Sequence, residues 1–399
     1  MSYDLDALRA EFPSLTSGLA HFDGPGGTQT PRVVAQRMAD TLMGPLSNRG
    51  TLTQSEQNAD DVVADFRAAY ADLLGASPDA IVYGRSATQL TYDFSRHLAK
   101  EWAAGDEIVV TRLDHDSNVS PWLQAAAARG VTVRWIDFDP DTAELDGASV
   151  DAAIGPRTRA VAITAASNLL GTQPRVAQIA VQARAQGAVV YVDAVHYAAH
   201  ELVDIEALGA DLLVCSPYKF LGPHCAVLAG RPEVLERLRP DKLAPSTDEV
   251  PERFEFGTLP YEVMAGATAA VDFLAALAPG EGQNRRERLR ASFAAIHAHE
   301  QGLRTRLESG LDALGDAVVR HSLAERRTPT VLFSLPGRDG LAAADHLAAR
   351  QVHAPAGTFY AHQAGLRLGV QDALRAGLAP YTTEDEVDRL LTGVAEFLG

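Results

Sequence analysis

Seven short runs of mostly aliphatic residues punctuate the first two-thirds of the chain, and several carry no polar alternation. They fall at 81–83, 107–111, 132–136, 160–164, 188–193, 212–216 and 226–229. A strand with one wet face alternates apolar and polar side chains, so an unbroken apolar run predicts a strand covered on both faces. Helical patterns at 62–74, 121–129 and 176–186 lie between the runs. This rhythm predicts an α/β fold with a mainly parallel sheet between helical layers. The last two runs are separated by a loop too short for a crossover helix. The run at 226–229 is therefore expected to lie antiparallel to its neighbour.

After about Pro260 the texture changes. A helical pattern rich in Ala, Leu and Arg runs from Tyr261 to about Leu314, with a break near Pro279-Gly280. A compact α+β segment follows, with strands expected near 331–335 and 366–370. A last helix over 383–397 opens on Glu384, Asp385 and Glu386, the charge that a helix N-terminus favours. The chain has 399 residues, enough for a large core and a satellite. The expected organisation is a large domain over 20–260 and a smaller C-terminal α+β domain over 261–399, joined by residues 1–19.

Hydrophobic residues make up 46% and charged residues 22%, as in an ordinary globular enzyme. The formal net charge of -17 repels nucleic acid and anionic membrane, so neither is an expected partner. No run predicts a membrane span. The opening MSYDLDALRA has no secretory pattern. Cys215 and Cys225, the only cysteines, are too sparse for a disulfide framework. A cytoplasmic location is expected.

The most informative stretch is YVDAVHYAAHELVDIEALGADLLVCSPYKFLGPHC, residues 191–225. Asp193 closes one strand and Lys219 follows the next, so both fall at the carboxyl edge of the sheet, where open α/β sheets bind ligands. A carboxylate there can pair with a protonated ring nitrogen, and a lysine can form an imine with an aldehyde. Pyridoxal 5′-phosphate (PLP) needs both groups. An ordinary lysine, with a pKa of about 10.4, is a poor nucleophile at neutral pH. Burial beside a cation would activate it.

Around these two residues, SPYKFLGPH (216–224) and YVDAVHYAAH (191–200) resemble the lysine segment and ring-contacting strand of the class V aminotransferase and cysteine desulfurase family. The resemblance implies a PLP-dependent transferase fold of the aspartate aminotransferase type, fold type I. It implies that Lys219 forms the Schiff base, Asp193 holds the pyridinium, and His196 bonds the phenolic oxygen. Ser216 and Tyr218 would contact the phosphate, although many desulfurases carry His where Tyr218 stands.

Further segments resemble the family in order along nearly the whole chain. HFDGPGGTQTP (21–31) is similar to the segment that enters the active site. GRSATQL (84–90) follows a strand and opens a helix, whose free N–H groups suit a phosphate. The resemblance places Ala87 and Thr88 in a phosphate cup, with the hydroxyls of Ser86 and Thr88 assisting. LDHDSNVSPW (113–122) implies that His115 stacks on the cofactor ring, with Asn118 nearby. ASNLLGTQP (166–174) implies that Asn168 approaches the cofactor or substrate. RFEFGTLPYE (253–262) implies that Gly257 and Thr258 reach the phosphate of a partner subunit, hence a homodimer with shared active sites. LRAGLAPYTTEDEVDRLL (374–391) implies that Arg375 grips the substrate α-carboxylate, a task suited to the guanidinium fork. Arg367 is a nearby alternative.

One departure narrows the chemistry. Desulfurases of the family carry a nucleophilic cysteine on a loop before the C-terminal segment, whereas VHAPAGTFYAHQAG (352–365) contains none. Phe359, Tyr360 and His362 are expected to shape the substrate pocket there, and Cys215 and Cys225 are expected to be structural. The function expected is PLP-dependent cleavage of a C–S or related β or γ bond of an amino acid. Transamination with an oxo-acid acceptor is the alternative. Rival classes are a non-catalytic PLP-binding protein and a metal site built from Asp193, His196, His200, His224 and Cys225. GPGGTQ (24–29) precedes the first clear strand, which removes the context of a dinucleotide-binding turn.

Overall fold

A computed structural model describes residues 3–278 and 284–399 of the chain. Its central sheet has seven strands: β1 (Ile81–Gly84), β2 (Glu107–Thr111), β3 (Thr132–Ile136), β4 (Thr158–Thr164), β5 (Val189–Asp193), β6 (Leu212–Cys215) and β7 (Ala226–Gly230). The spatial order is β1-β7-β6-β5-β4-β2-β3. β7 runs antiparallel to β1 and β6, as the short loop before it demands, and the other neighbours are parallel.

The unbroken apolar runs are strands buried on both faces. Val190 and Val192 of β5 enter one apolar cluster, under the helices Gln54–Leu74, Val176–Ala185 and Tyr261–Ala275. Val189 and Tyr191 enter the other, under Ala87–Ala99 and Ser120–Arg129. Only β3, at the sheet edge, alternates exposed and covered residues.

The C-terminal third builds a separate antiparallel sheet of β8 (Val319–Arg320), β9 (Thr330–Ser334) and β10 (Leu374–Gly377). The helices Arg285–Asp312, Gly340–Ala348 and Glu384–Leu398 pack on it around Leu307, Phe333, Leu374 and Leu390. The last helix starts with a reciprocal cap between Thr383 and Glu386. The expected break near Pro279-Gly280 lies outside the described residues.

The strand expected near 366–370 is not formed. Residues His362–Leu368 make a short helix that stops at Gly369, whose φ of 70° suits a glycine. A short apolar run does not distinguish strand from helix, and here burial of Ala364 and Gly365 decides for the helix. This correction matters for function, because it puts Arg367 on a helix and Arg375 on a strand. No helix among the described residues is long and apolar enough to cross a membrane.

Candidate active site

The parallel strands deliver their ends to one edge. β5 ends at Asp193, β4 at Thr164, and the turn Pro217–Lys219 follows β6. A cavity with two lobes opens there. Ser86, Ala87, Asp193, His196 and Ser216 line the inner lobe, while Thr88, His115, Asn168, Tyr218 and Lys219 line both. Tyr92, Phe359, Tyr360 and Arg375 complete the outer lobe. The structure thus brings together most of the site residues expected from the sequence, but not Gly257, Thr258, Asn118 or His362. Gly257 and Thr258 are exposed and line neither lobe. His362 is exposed at the start of its helix and outside both lobes, contrary to expectation. Asn118 is buried, and its side chain is committed to Asp114 at 2.7 Å and Trp122 at 3.0 Å.

Lys219 is one of three lysines in the chain. Lys100 and Lys242 pair with Asp241 and Asp248 away from the cavity, leaving Lys219 as the lysine that faces it. Burial pushes its pKa down to about 7, and Arg375 pushes the same way, against Asp193 and Asp23. At neutral pH about half of such amines are unprotonated and nucleophilic. The Lys219 Nζ donates to the Pro25 carbonyl.

Burial raises Asp193 to about 6, opposed by a 2.8 Å hydrogen bond from the Val195 N–H and by the Lys219 charge. At pH 7 the group is largely a carboxylate, ready for a ring cation. Burial, with help from Lys219, lowers His115 to about 4 and keeps its imidazole neutral. The His115 Nδ1 accepts from the Ser117 N–H at 3.1 Å, which assigns the ring proton to Nε2. The buried His196 Nε2 sits between the hydroxyls of Thr328 at 2.9 Å and Thr330 at 3.0 Å.

The phosphate end is a helix start. Ser86 caps the helix Ala87–Ala99, its hydroxyl accepting from the Gln89 N–H at 3.1 Å. The N–H groups of Ala87 and Thr88 lie in the first turn, where an α-helix leaves donors without internal partners. Tyr218 stacks flat on His224 with ring centroids 4.7 Å apart, and the Lys219 Nζ lies 4.9 Å from the same ring centre.

At the other end, burial lowers Arg375 to about 9, which still leaves it charged at pH 7. One guanidinium nitrogen donates to the Asn168 carbonyl at 3.0 Å, and the group lies 3.7 Å from the Phe359 ring centre. The Asn168 amide nitrogen in turn donates to the Phe359 carbonyl at 2.9 Å. Arg375 Nε and Asn168 Oδ1 are buried without hydrogen-bond partners. Such orphaned groups beside a cavity suit a ligand that supplies the missing bonds. Arg367, the alternative carboxylate anchor, pairs with Asp137 at 3.0 Å on the surface.

Several contacts escape sequence reasoning. The strap 24–28 holds the lysine turn through Thr28, whose N–H and hydroxyl donate to the Tyr218 carbonyl at 3.0 and 3.2 Å. Leu221, Phe359 and Tyr360 adopt φ of 72°, 50° and 60°, a conformation costing a non-glycine residue about 1–3 kcal/mol. All three sit beside the lysine turn or the outer lobe. A positive φ has no residue signature unless glycine occupies it.

The rival metal cluster does not converge. His200 bonds Glu300 at 2.9 Å, His224 stacks on Tyr218, and Cys225 is buried. Burial raises the thiol pKa of both Cys215 and Cys225, the opposite of an activated nucleophile.

The donor set fits PLP: a nucleophilic lysine, a buried carboxylate across the inner lobe, a neutral imidazole, and a helix start for a phosphate. The aminotransferase class-V family model matches residues 20–390. A cysteine desulfurase of Dickeya dadantii is 31% identical, with 98% of this chain and 96% of the relative covered. An aminotransferase-like protein of Gibberella zeae is 30% identical over 98% of each. Among solved structures, the apo cysteine desulfurase of Thermococcus onnurineus NA1 superposes with a TM-score of 0.90 at 26% identity, covering 100% of this chain and 98% of that one.

Proposed function

Since the chain belongs to the aminotransferase class-V family, in its cysteine desulfurase-like branch, and is a PLP-dependent enzyme, we propose that it cleaves a C–S or related β or γ bond of an amino acid without a cysteine nucleophile. The carrying observation is the outer lobe: Phe359 and Tyr360 border it, the loop 352–365 holds no cysteine, and both thiols of the chain are buried.

PLP, when bound, supplies an electron sink for the pair left on Cα when its proton departs. The chain's own groups do the rest. Lys219 Nζ would anchor the cofactor and could accept the Cα proton, a duty for which a pKa near neutrality is suited. The Asp193 carboxylate would hold the pyridinium nitrogen, and His115 would lie against the ring. His196, held by the hydroxyls of Thr328 and Thr330, would bond the phenolic oxygen. Ala87, Thr88, Ser216 and Tyr218 would receive the phosphate. Arg375 would receive the α-carboxylate and so orient the substrate toward Lys219. Gly257 and Thr258, exposed in the single chain, are proposed to complete the phosphate site of a second copy in a homodimer.

Product analysis on cysteine, cystine and thioether amino acids tests the reaction. Ammonia, an oxo acid and the released sulfide or thiol, formed without any acceptor, are the expected products. A strict acceptor requirement means transamination, and alanine with sulfide means desulfuration; either result defeats the proposal.

Two smaller predictions follow from the same geometry. The rate at which PLP-free enzyme captures PLP should rise about tenfold per pH unit below 7 and level off above it, because only neutral Lys219 attacks. A lysine with an ordinary pKa of about 10.4 would show a rate still climbing at pH 9. Phe359→Ala should remove a cation–π contact worth about 0.5–2 kcal/mol. Its KM should rise roughly 2- to 30-fold with kcat little changed, the pattern of a binding contact.

A further inference from the structure

His21 and Asp23 stand two residues apart on one extended segment, and His353 lies directly beside His21 in the parallel pairing of Ala20–His21 with Val352–His353. Side chains two residues apart on a strand share a face. The three groups therefore converge. His21 Nδ1 is 3.4 Å from Asp23 Oδ1, and His353 Nδ1 is 3.4 Å from Asp23 Oδ2. One ligand atom from each residue lies within 4.8 Å of the others, and no other such group occurs among the described residues.

These separations are long for N–H···O hydrogen bonds, which cluster between about 2.7 and 3.2 Å. Each is also the length of one edge of a zinc tetrahedron, with Oδ1 of Asp23 facing His21 and Oδ2 facing His353. Two ligand atoms each about 2.0–2.1 Å from a tetrahedral zinc ion stand about 3.3–3.4 Å apart. Asp23 Oδ1 is buried and makes no hydrogen bond of good geometry, which leaves its lone pairs open to a ligand. Gln29 Nε2 also approaches His21 Nδ1 no closer than 3.4 Å.

We propose that His21, Asp23 and His353 form a binding site for one divalent transition metal of the zinc class, with a fourth position open to water. Two imidazoles and a carboxylate suit zinc, whereas calcium and magnesium take oxygen ligands. His353 is half-exposed and provides the entry path. The site adjoins the cavity without belonging to it, since none of the three residues lines either lobe. The metal pins the strap that carries Pro25, the acceptor of the Lys219 Nζ.

The test is a zinc titration of the holoenzyme against a chromogenic chelator, after removal of free PLP, with X-ray absorption at the zinc edge. One equivalent of zinc per chain is expected, with only nitrogen and oxygen neighbours. Even an outer-shell partner of a metal is worth about 10- to 100-fold in affinity. His353→Gln should therefore weaken zinc binding by at least about tenfold, and His21→Gln with His353→Gln should abolish it. No stoichiometric zinc, full binding in the double variant, or a sulfur neighbour in the absorption data would overturn the proposal. His353 is half-exposed, so its single variant decides the matter if the double variant fails to fold.

Discussion

Lys219→Ala is expected to lower amino-acid turnover by at least about four orders of magnitude and to remove the visible absorbance of the lysine-linked cofactor. Proton transfer alone by a positioned group contributes about 10²–10⁴ to a rate. Lys219 carries a second duty, because the same Nζ anchors the cofactor. Neither remaining lysine can take over, since Lys100 and Lys242 are held in ion pairs outside the cavity. Lys219→Arg separates charge from nucleophilicity. It keeps the cation, but arginine stays protonated at any working pH. The two variants should be equally inactive in a steady-state assay. Recovery of activity in Lys219→Arg would mean that the residue serves as a charge only.

Arg375→Ala is the second large effect. The guanidinium is buried on β10, stacked on Phe359 and bonded to the Asn168 carbonyl, with its Nε free of partners. Removing one partner of a buried charge pair costs about 2–5 kcal/mol, or roughly 30- to 5,000-fold in kcat/KM. Arg375→Lys should fall between wild type and Arg375→Ala, since it keeps the charge and loses the fork. Arg367→Ala should leave kcat/KM unchanged, because its partner is the surface residue Asp137. A second consequence concerns Lys219. Arg375 lowers the Lys219 pKa, so its removal should move the midpoint of the PLP-capture profile upward from about 7. A large loss in Arg367→Ala, with little in Arg375→Ala, would reassign the carboxylate anchor.

Much of this site could be read from the chain because an open α/β sheet imposes its own logic. Unbroken apolar runs mark β5 and β6 as central strands, and parallel strands put Asp193 and Lys219 on one edge before any contact is known. His115, Asn168 and the helix start at Ala87 follow the same rule, each lying just past a strand of the sheet. The segment 362–370 could not be read this way. Its apolar run is too short to fix a period, and the choice between helix and strand is made by packing of Ala364 and Gly365.

The supporting contacts are hidden for a different reason. Pro25 meets Lys219 across 194 positions, and His196 meets Thr328 across 132. No local pattern predicts a carbonyl or a hydroxyl arriving from so far along the chain. The stack of Phe359 on Arg375 is of the same kind. Gly257 and Thr258 are a third case, because the cavity of one chain does not include them.

Borohydride reduction of the holoenzyme followed by peptide mass spectrometry is the most direct measurement of the central claim. With three lysines in the chain, the label has three side-chain addresses. A pyridoxyl adduct on the peptide that contains Lys219, at close to one per chain and absent from Lys219→Ala, is the predicted result. An adduct on Lys100 or Lys242, or a protein that holds PLP with no reducible lysine bond, would contradict it.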